Sequence, residues 1–433
     1  MAAYSMPNPY RIWRYLPVIL VFALFTLKVP AQPSGKQPIK ISLWDQDPPE
    51  VGREIDKWIA VFEKQHPHVD IVRQNFDNEE LRTKFLRSSV TGDGADLLYG
   101  PNDLVGVLAT AGVIQPINDL VKPAIFSDRL IRLMTHRKQI WGYPISAGSH
   151  LVLYYNRQLI KEPPESMAEL IREGKAFMNQ KSTKGRRYGL AYYQSEPFWF
   201  IPFMSGFGAW PLATSDSKVQ ITLDQPGTRQ ALEYVLSLKN KHKIIPADCD
   251  FDCAKSLFVS GRAPFHINGD WQIVSLKEKL GHNLGIAALP KIDKGGHYMR
   301  PMAGGRFFFV SSQVEGRKRQ VIKDFMQMTS TLPVQIRLAT KLKRIPATRE
   351  SREHEMVRSS QMVSALIDAM AHAKDFPSAL EMRAAWDGMR IMIQRAMTGR
   401  ESPEQAAATG QQAATEALKA LRQTKATGAA QSG

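Results

Sequence analysis

Trp271 ends the segment Phe258-Val-Ser-Gly-Arg-Ala-Pro-Phe-His-Ile-Asn-Gly-Asp-Trp. A helix-like run stops at Gly261, a short apolar strand follows, and Asn268-Gly269-Asp270 breaks the chain. The break presents an indole at a strand-to-helix junction. A large aromatic there costs little to order and offers a flat apolar face. A second tryptophan, Trp386, stands four residues before Arg390, so both share one helix face. A third group is Glu196-Pro-Phe198-Trp199, and acids and amides gather at Asp45-Gln46-Asp47 and Asn102-Asp103. Aromatic plates, carboxylates and guanidinium forks suit a solute that shows hydroxyl edges and apolar C–H faces. Each residue also has a plainer reading. The tryptophans can be core, the acids helix caps and Glu196 a surface charge.

Catalytic and cofactor signatures are missing. No Gly-x-Ser-x-Gly elbow occurs, His354-Glu355 lacks the second histidine of a metalloprotease helix, and no Walker-type glycine loop is present. No cofactor is expected. Cys249 and Cys253 are the only cysteines. On one helical turn their Cα atoms would lie about 6 Å apart, at the long end of disulfide geometry. An oxidising compartment allows a bridge between them. A metal site from Cys249, Asp250, Asp252 and Cys253 lacks a histidine at a recognised spacing, and none is expected.

The elements that must position these residues follow an export leader. Arg11 and Arg14 precede the apolar run Leu16 to Leu27, and Val29-Pro30-Ala31 suits cleavage after Ala31. Twelve apolar residues are too few to span a bilayer comfortably. The leader carries Arg11, Arg14 and Lys28 and no acid, so its removal takes the net charge from +16 to +13. The basic residues are scattered or, at Lys181–Arg187 and Arg317–Arg319, lack stacking aromatics, so no nucleic-acid partner is expected.

Behind the leader, strands alternate with helices. Strands are read at Ile39–Trp44, Val69–Arg73, Leu97–Tyr99, Leu151–Tyr155, Leu284–Leu289 and Phe307–Val310. Helices are read at Val51–Gln65, Asn78–Val90, Asp103–Ala111, Thr228–Lys241, Ala254–Val259, Glu355–Ala373, Ala379–Met397 and Pro403–Leu421. This is an α/β pattern with largely parallel sheets, whose ligands sit beyond the carboxyl ends of the strands. The loops at 45–49 and 100–103 lie at such ends.

The landmarks come in an order that resembles the extracellular solute-binding proteins of ABC importers, in the group that includes maltose/maltodextrin-binding proteins. They are the strand ending in Trp44, Thr91-Gly-Asp-Gly-Ala-Asp-Leu-Leu, Ala111-Gly-Val-Ile-Gln-Pro-Ile, Gly142-Tyr-Pro-Ile, Tyr154-Tyr-Asn, Glu196-Pro-Phe, Ile267-Asn-Gly-Asp-Trp and Trp386. The resemblance spans about Ile39 to Leu421.

It implies a two-lobed, type II periplasmic-binding-protein fold with a hinge between the lobes. The first lobe would hold residues 38–147 and 304–329 and the second 148–303 and 330–421; the small, polar residues at 422–433 read as a disordered tail. The resemblance further implies a monomeric periplasmic receptor, not an enzyme, that closes on a disaccharide or oligosaccharide and delivers it to the transmembrane subunits of an ABC permease. The candidate ligand contacts are Asp45, Asp47, Asn102, Asp103, Ser149, Glu196, Phe198, Trp199, Trp271, Arg306, Trp386 and Arg390, of which Ser149 and Arg306 stand where the chain departs from the family pattern.

The chain departs from the maltose-binding pattern in places. Gly100 replaces an aromatic, Leu104 replaces a polar contact, Phe198 lacks a tyrosine hydroxyl, and Ser146-Ala-Gly-Ser149-His150 replaces an acid-bearing turn. With Arg306 and Arg390 these leave an anionic solute, such as a sugar phosphate or glycerol-phosphate ester, as an alternative. A secreted carbohydrate hydrolase is the remote one. It would need Glu196 and Asp103 as its carboxylate pair, and the resemblance places them on opposite lobes.

Overall fold

The computed structural model describes residues 38–181, 185–215, 218–293 and 297–430. The expected leader and its expected cleavage after Ala31 fall outside the described residues. Among those described, the principal strands build one seven-stranded and one four-stranded sheet.

The first sheet has the order Ile345–Pro346, Tyr143–Gly148, Met302–Val310, Leu97–Pro101, Ile39–Asp45, Val69–Asn75, and Lys374–Asp375 also pairs with Met302–Val310. Ile39–Asp45 is parallel to both its neighbours, whereas Met302–Val310 is antiparallel to Leu97–Pro101 and Tyr143–Gly148. The second sheet runs Leu284–Ala287, Leu151–Asn156, Phe265–Gly269, Leu190–Tyr192, with only the last pair parallel. The sheets are therefore mixed rather than largely parallel. Hydrophobic pattern reports burial of a strand, not the direction of its neighbour.

Local patterning explains the elements. Helix Pro49–Gln65 starts with Pro at its first position and buries Val51, Ile55, Trp58, Ile59 and Phe62 on one stripe. Alternation along Leu151–Asn156 sends Val152 and Tyr154 into the core of the first sheet, and Leu151, Leu153 and Tyr155 into a second core. That second core is closed by helices Leu380–Met397 and Pro403–Ala430. The chain passes between the sheets at Gly148–Leu151, again before Met302, and again between Asp375 and Leu380.

Residues 330–347 do not side with the second lobe as expected. Ile345 and Pro346 pair with Ala147 and Ser146, and helix Leu332–Leu342 is tied to the first lobe by Arg337 on Glu54 at 2.6 Å. The segment read as one helix from 355 to 373 is split into Glu355–Arg358 and Gln361–Ala371 at the Ser359-Ser360 pair. The tail expected to be disordered from 422 is helical to Ala430. Its alanines favour the helix and no proline interrupts it.

Candidate ligand-binding site

The second lobe supplies an aromatic platform. Strand Phe265–Gly269 ends in a tight turn at Asp270–Gln272 before helix Ile273–Leu280, which sets Trp271 at the junction. The indole folds back over the strand end. A Cβ on Gly269 would stand 2.2 Å from its ring, so the close approach requires glycine. Helix Pro197–Gly206 brings Phe198 beside it, with ring centroids 6.0 Å apart. Phe198 also lies 6.3 Å from Trp386 and 5.9 Å from Phe376, and Phe376 meets Trp386 edge-on at 5.8 Å. Phe198, Trp271 and Trp386 are all half-buried, so the platform keeps accessible faces.

Trp199 does not add a plate. It is 6% exposed, donates its indole N–H to Ile267 O at 2.9 Å and stands perpendicular to Trp271 at 6.1 Å. It props the platform from beneath. Phe376 was missed by sequence reading because a lone phenylalanine in a linker carries no periodic signal. Helix Pro197–Gly206 was missed because it is buried almost all round, shows no apolar stripe and contains Pro202.

A charged rim borders the platform. Arg390 lies 3.7 Å from Glu196 and 3.4 Å from Asp387, which also pairs with Arg383 at 3.3 Å. Arg390 thus faces two carboxylates while its side chain stays exposed.

The first lobe contributes a buried polar shelf. Asp45 ends its strand fully buried. It accepts from Arg73 Nη1 and Asn75 Nδ2, each at 2.6 Å, and from Asp47 N–H at 3.2 Å. Burial raises its pKa against the lowering effect of Arg73 and Asn75. With its oxygens so engaged, Asp45 orients the loop rather than reaching a ligand. Asp47 meets Arg306 as a charge contact at 2.7 Å without an aligned hydrogen bond.

Asn102 is fully buried and donates to Phe376 O at 3.1 Å. A Cβ on Gly304 would fall 1.8 Å from Asn102 Oδ1, so glycine makes room for this amide. Gln46 Oε1, both Asp47 carboxylate oxygens, Asn102 Oδ1 and Arg306 Nε are buried without a hydrogen-bond partner. So many under-satisfied polar atoms in neighbouring loops mark a place where a polar guest or water belongs. Asp103 stands at the first position before helix Leu104–Thr110 yet makes no side-chain cap bond.

Ser149 serves the hinge. It adopts φ 51° beside Gly148 at φ 128°, and its N–H donates to Asp270 Oδ2 at 3.0 Å. Asp270 also faces Arg344 Nη1 at 3.4 Å and His150 Nδ1 at 3.6 Å, all deeply buried. Burial opposes the Arg344 charge, but Asp270 and Asp47 together hold its pKa above the ordinary arginine value. Burial lowers that of His150, which Asp270 only partly offsets. Sequence reading had marked Asp270 only as a turn residue.

Cys249 and Cys253 form a disulfide with Cα atoms 5.4 Å apart, and Asp250 caps the following helix by accepting from Cys253 N–H at 2.8 Å. Among the described residues no group of His, Cys, Asp and Glu is arranged to hold a metal ion, and no helix is long and apolar enough to cross a membrane.

The comparisons agree with this architecture. A family model described as bacterial extracellular solute-binding protein matches residues 57–365. The maltotriose-binding protein of Pyrococcus abyssi is 24% identical over 360 residues, 82% of this chain and 76% of the relative. A maltooligosaccharide ABC transporter solute-binding lipoprotein of Streptococcus pneumoniae is 24% identical over 333 residues, 75% of this chain and 76% of the relative. The solved maltose/maltodextrin-binding domain of Bdellovibrio bacteriovorus bound to maltotriose superposes with TM-score 0.81 at 28% identity, covering 88% of this chain and all of that one. The fold is thus the two-lobed, type II arrangement.

Proposed function

The chain belongs to the bacterial extracellular solute-binding proteins, and from that membership we propose that it captures a malto-oligosaccharide of about three glucose units and delivers it unaltered to an ABC permease. The observation that carries the reading is Phe198, whose ring packs against Trp271, Trp386 and Phe376 and gathers the two half-buried indoles and the buried Phe376 into one cluster of tilted rings. Sugar rings stack their C–H faces on such a surface. Glu196 and Arg390 at its rim, with Asp47, Asn102, Asp103 and Arg306 on the first lobe, serve the hydroxyl edges. Contacts made only when both lobes grip the guest would drive closure. The carbohydrate class is further supported by the maltotriose and maltooligosaccharide named for the relatives.

The anionic-solute reading loses support from the same geometry. It needs cationic groups in surplus, whereas Arg306 is committed to Asp47 and Arg390 to Glu196 and Asp387. The receptor acts as a monomer, without catalysis, after export and cleavage behind Ala31. N-terminal sequencing of the secreted protein is expected to begin at Gln32.

The deciding experiment is calorimetric titration of the purified protein with maltotriose, maltotetraose and, as a contrast, glucose phosphates, followed by chromatography of the recovered sugar. Saturable binding of the neutral oligosaccharides with intact recovery is expected. Binding confined to the phosphates, or recovery of shorter sugars, would overturn the reading.

A further inference from the structure

We propose that His266 is a positioning residue for sugar capture: its neutral ring fixes Asn268, and through Asn268 the Gly269 peptide on which the Trp271 indole rests. The role in capture rests on the sugar-capture reading; the chain of bonds that leads to the indole does not.

Strand Phe265–Gly269 carries all three residues, and all are buried. His266 Nδ1 lies 3.0 Å from Ala191 O on the neighbouring strand Leu190–Tyr192. A carbonyl only accepts, so Nδ1 carries the proton and donates. Nε2 of the neutral ring is then bare, and it accepts from Asn268 Nδ2 at 3.0 Å. This turns Asn268 Oδ1 toward Gly269, whose N–H it accepts at 2.7 Å. The Gly269 carbonyl in turn accepts from the Tyr154 hydroxyl at 2.9 Å. Gly269 is therefore clamped through both its N–H and its carbonyl, under an indole that leaves no room for a Cβ. The imidazole itself is restrained by stacking on Phe258 at 5.3 Å and on Tyr154 at 6.2 Å.

The chain of bonds admits one protonation state. A proton on Nε2 turns the acceptor into a donor that faces the Asn268 amide N–H. Turning the amide over would offer Oδ1 to the imidazolium but aim Nδ2 at the Gly269 N–H, so one donor always meets another. Facing the ring are Ala191, Tyr154 from strand Leu151–Asn156, and Phe258 and Lys255 from helix Phe251–Val259. Burial disfavours the imidazolium and Lys255 adds to that, against the opposing effect of the bond to Ala191 O. The ring is thus held in the one form that supports Asn268.

The test compares two backgrounds. His266→Phe keeps a stacked ring and removes both nitrogens, whereas Trp271→Phe removes the indole. Calorimetric titration with maltotriose at pH 7 is expected to show binding about tenfold weaker in His266→Phe, and no further loss when His266→Phe is added to Trp271→Phe. Parent affinity in His266→Phe, or equal losses in the two backgrounds, overturns the role in capture. Between pH 7 and pH 4 the parent is expected to lose affinity more steeply than His266→Phe, and parallel profiles overturn that role too. Near-UV circular dichroism reads the setting of the indole without sugar. His266→Phe is expected to change the spectrum of the parent but not that of Trp271→Phe; the same change in both overturns the link to Trp271. The expected spectra from a parent that binds no maltotriose uphold the link and count only against the sugar reading. Thermal melts check the fold, and if His266→Phe melts early, Asn268→Ala carries the same comparisons.

Discussion

The side-chain amide of Asn102 donates to the carbonyl of Phe376 at 3.1 Å, and this one bond joins the first-lobe shelf to the segment that carries the aromatic platform. The Phe376 backbone is also held by Ala303 O at 2.9 Å, while its ring packs against Phe198 and Trp386. Phe376 thus belongs to the first sheet by backbone and to the second core by side chain. Replacing Asn102 by Ala strands the carbonyl in a buried place. A stability loss of about 1–3 kcal/mol in urea unfolding is expected. Calorimetry is also expected to show weaker sugar binding, because the platform edge is no longer fixed.

The two neighbouring tryptophans separate by role. Trp271→Ala removes an accessible stacking face. Maltotriose affinity should drop by about 1–2 kcal/mol, roughly five- to thirtyfold, with the melting temperature little changed. Trp199→Phe instead breaks the buried bond to Ile267 O. It should cost about 1 kcal/mol of stability and a smaller share of affinity. If Trp199→Phe abolished binding and Trp271→Ala did not, the assignment of plate and prop would be reversed.

At the hinge, Asp270 is the carboxylate that pairs with the buried Arg344, at 3.4 Å. Asp270→Ala leaves that guanidinium unpaired and frees the Ser149 N–H, at a cost of about 3–5 kcal/mol in chemical unfolding. Asp270→Asn, which keeps an acceptor for Ser149 but not the charge, should fall between the variant and the parent. Equal stability of all three proteins would remove the hinge role.

Acid should weaken the fold through His266. Burial lowers its pKa from 6.5 to about 4, against a raising contribution from its bond to Ala191 O. The unfolded chain takes up this proton near pH 6.5, whereas the folded protein resists it until about pH 4. The unfolded state therefore binds more protons across that window, and stability declines as pH drops through it, by at most about 3 kcal/mol from this group. Urea titrations between pH 7 and pH 4 should show the decline, and His266→Gln should flatten part of it.

Much of this architecture could be read from residue order. Helix Pro49–Gln65 and strand Ile39–Asp45 announce themselves by periodicity, because their cores lie on one side. The Asn268-Gly269-Asp270-Trp271 block likewise reveals a strand-to-helix turn, since glycine and a following polar residue break the strand wherever the chain stands. The candidate contacts Glu196, Phe198, Trp271, Trp386 and Arg390 were all named from sequence, and the structure gathers them into one neighbourhood.

Other assignments required the tertiary structure. Asp45, Ser149 and Trp199 share residue types with ligand contacts, and only burial and hydrogen-bond partners show that they brace the site instead. The same holds for Ile345–Pro346, two residues whose pairing with Ser146 and Ala147 places residues 330–347 on the first sheet. The pairing of Asp47 with Arg306 and the reach of Asn102 to Phe376 join residues more than 200 positions apart. Periodicity records which face of an element is apolar. It holds no information about which distant face will meet it, because that choice is made by packing two lobes against each other across a hinge.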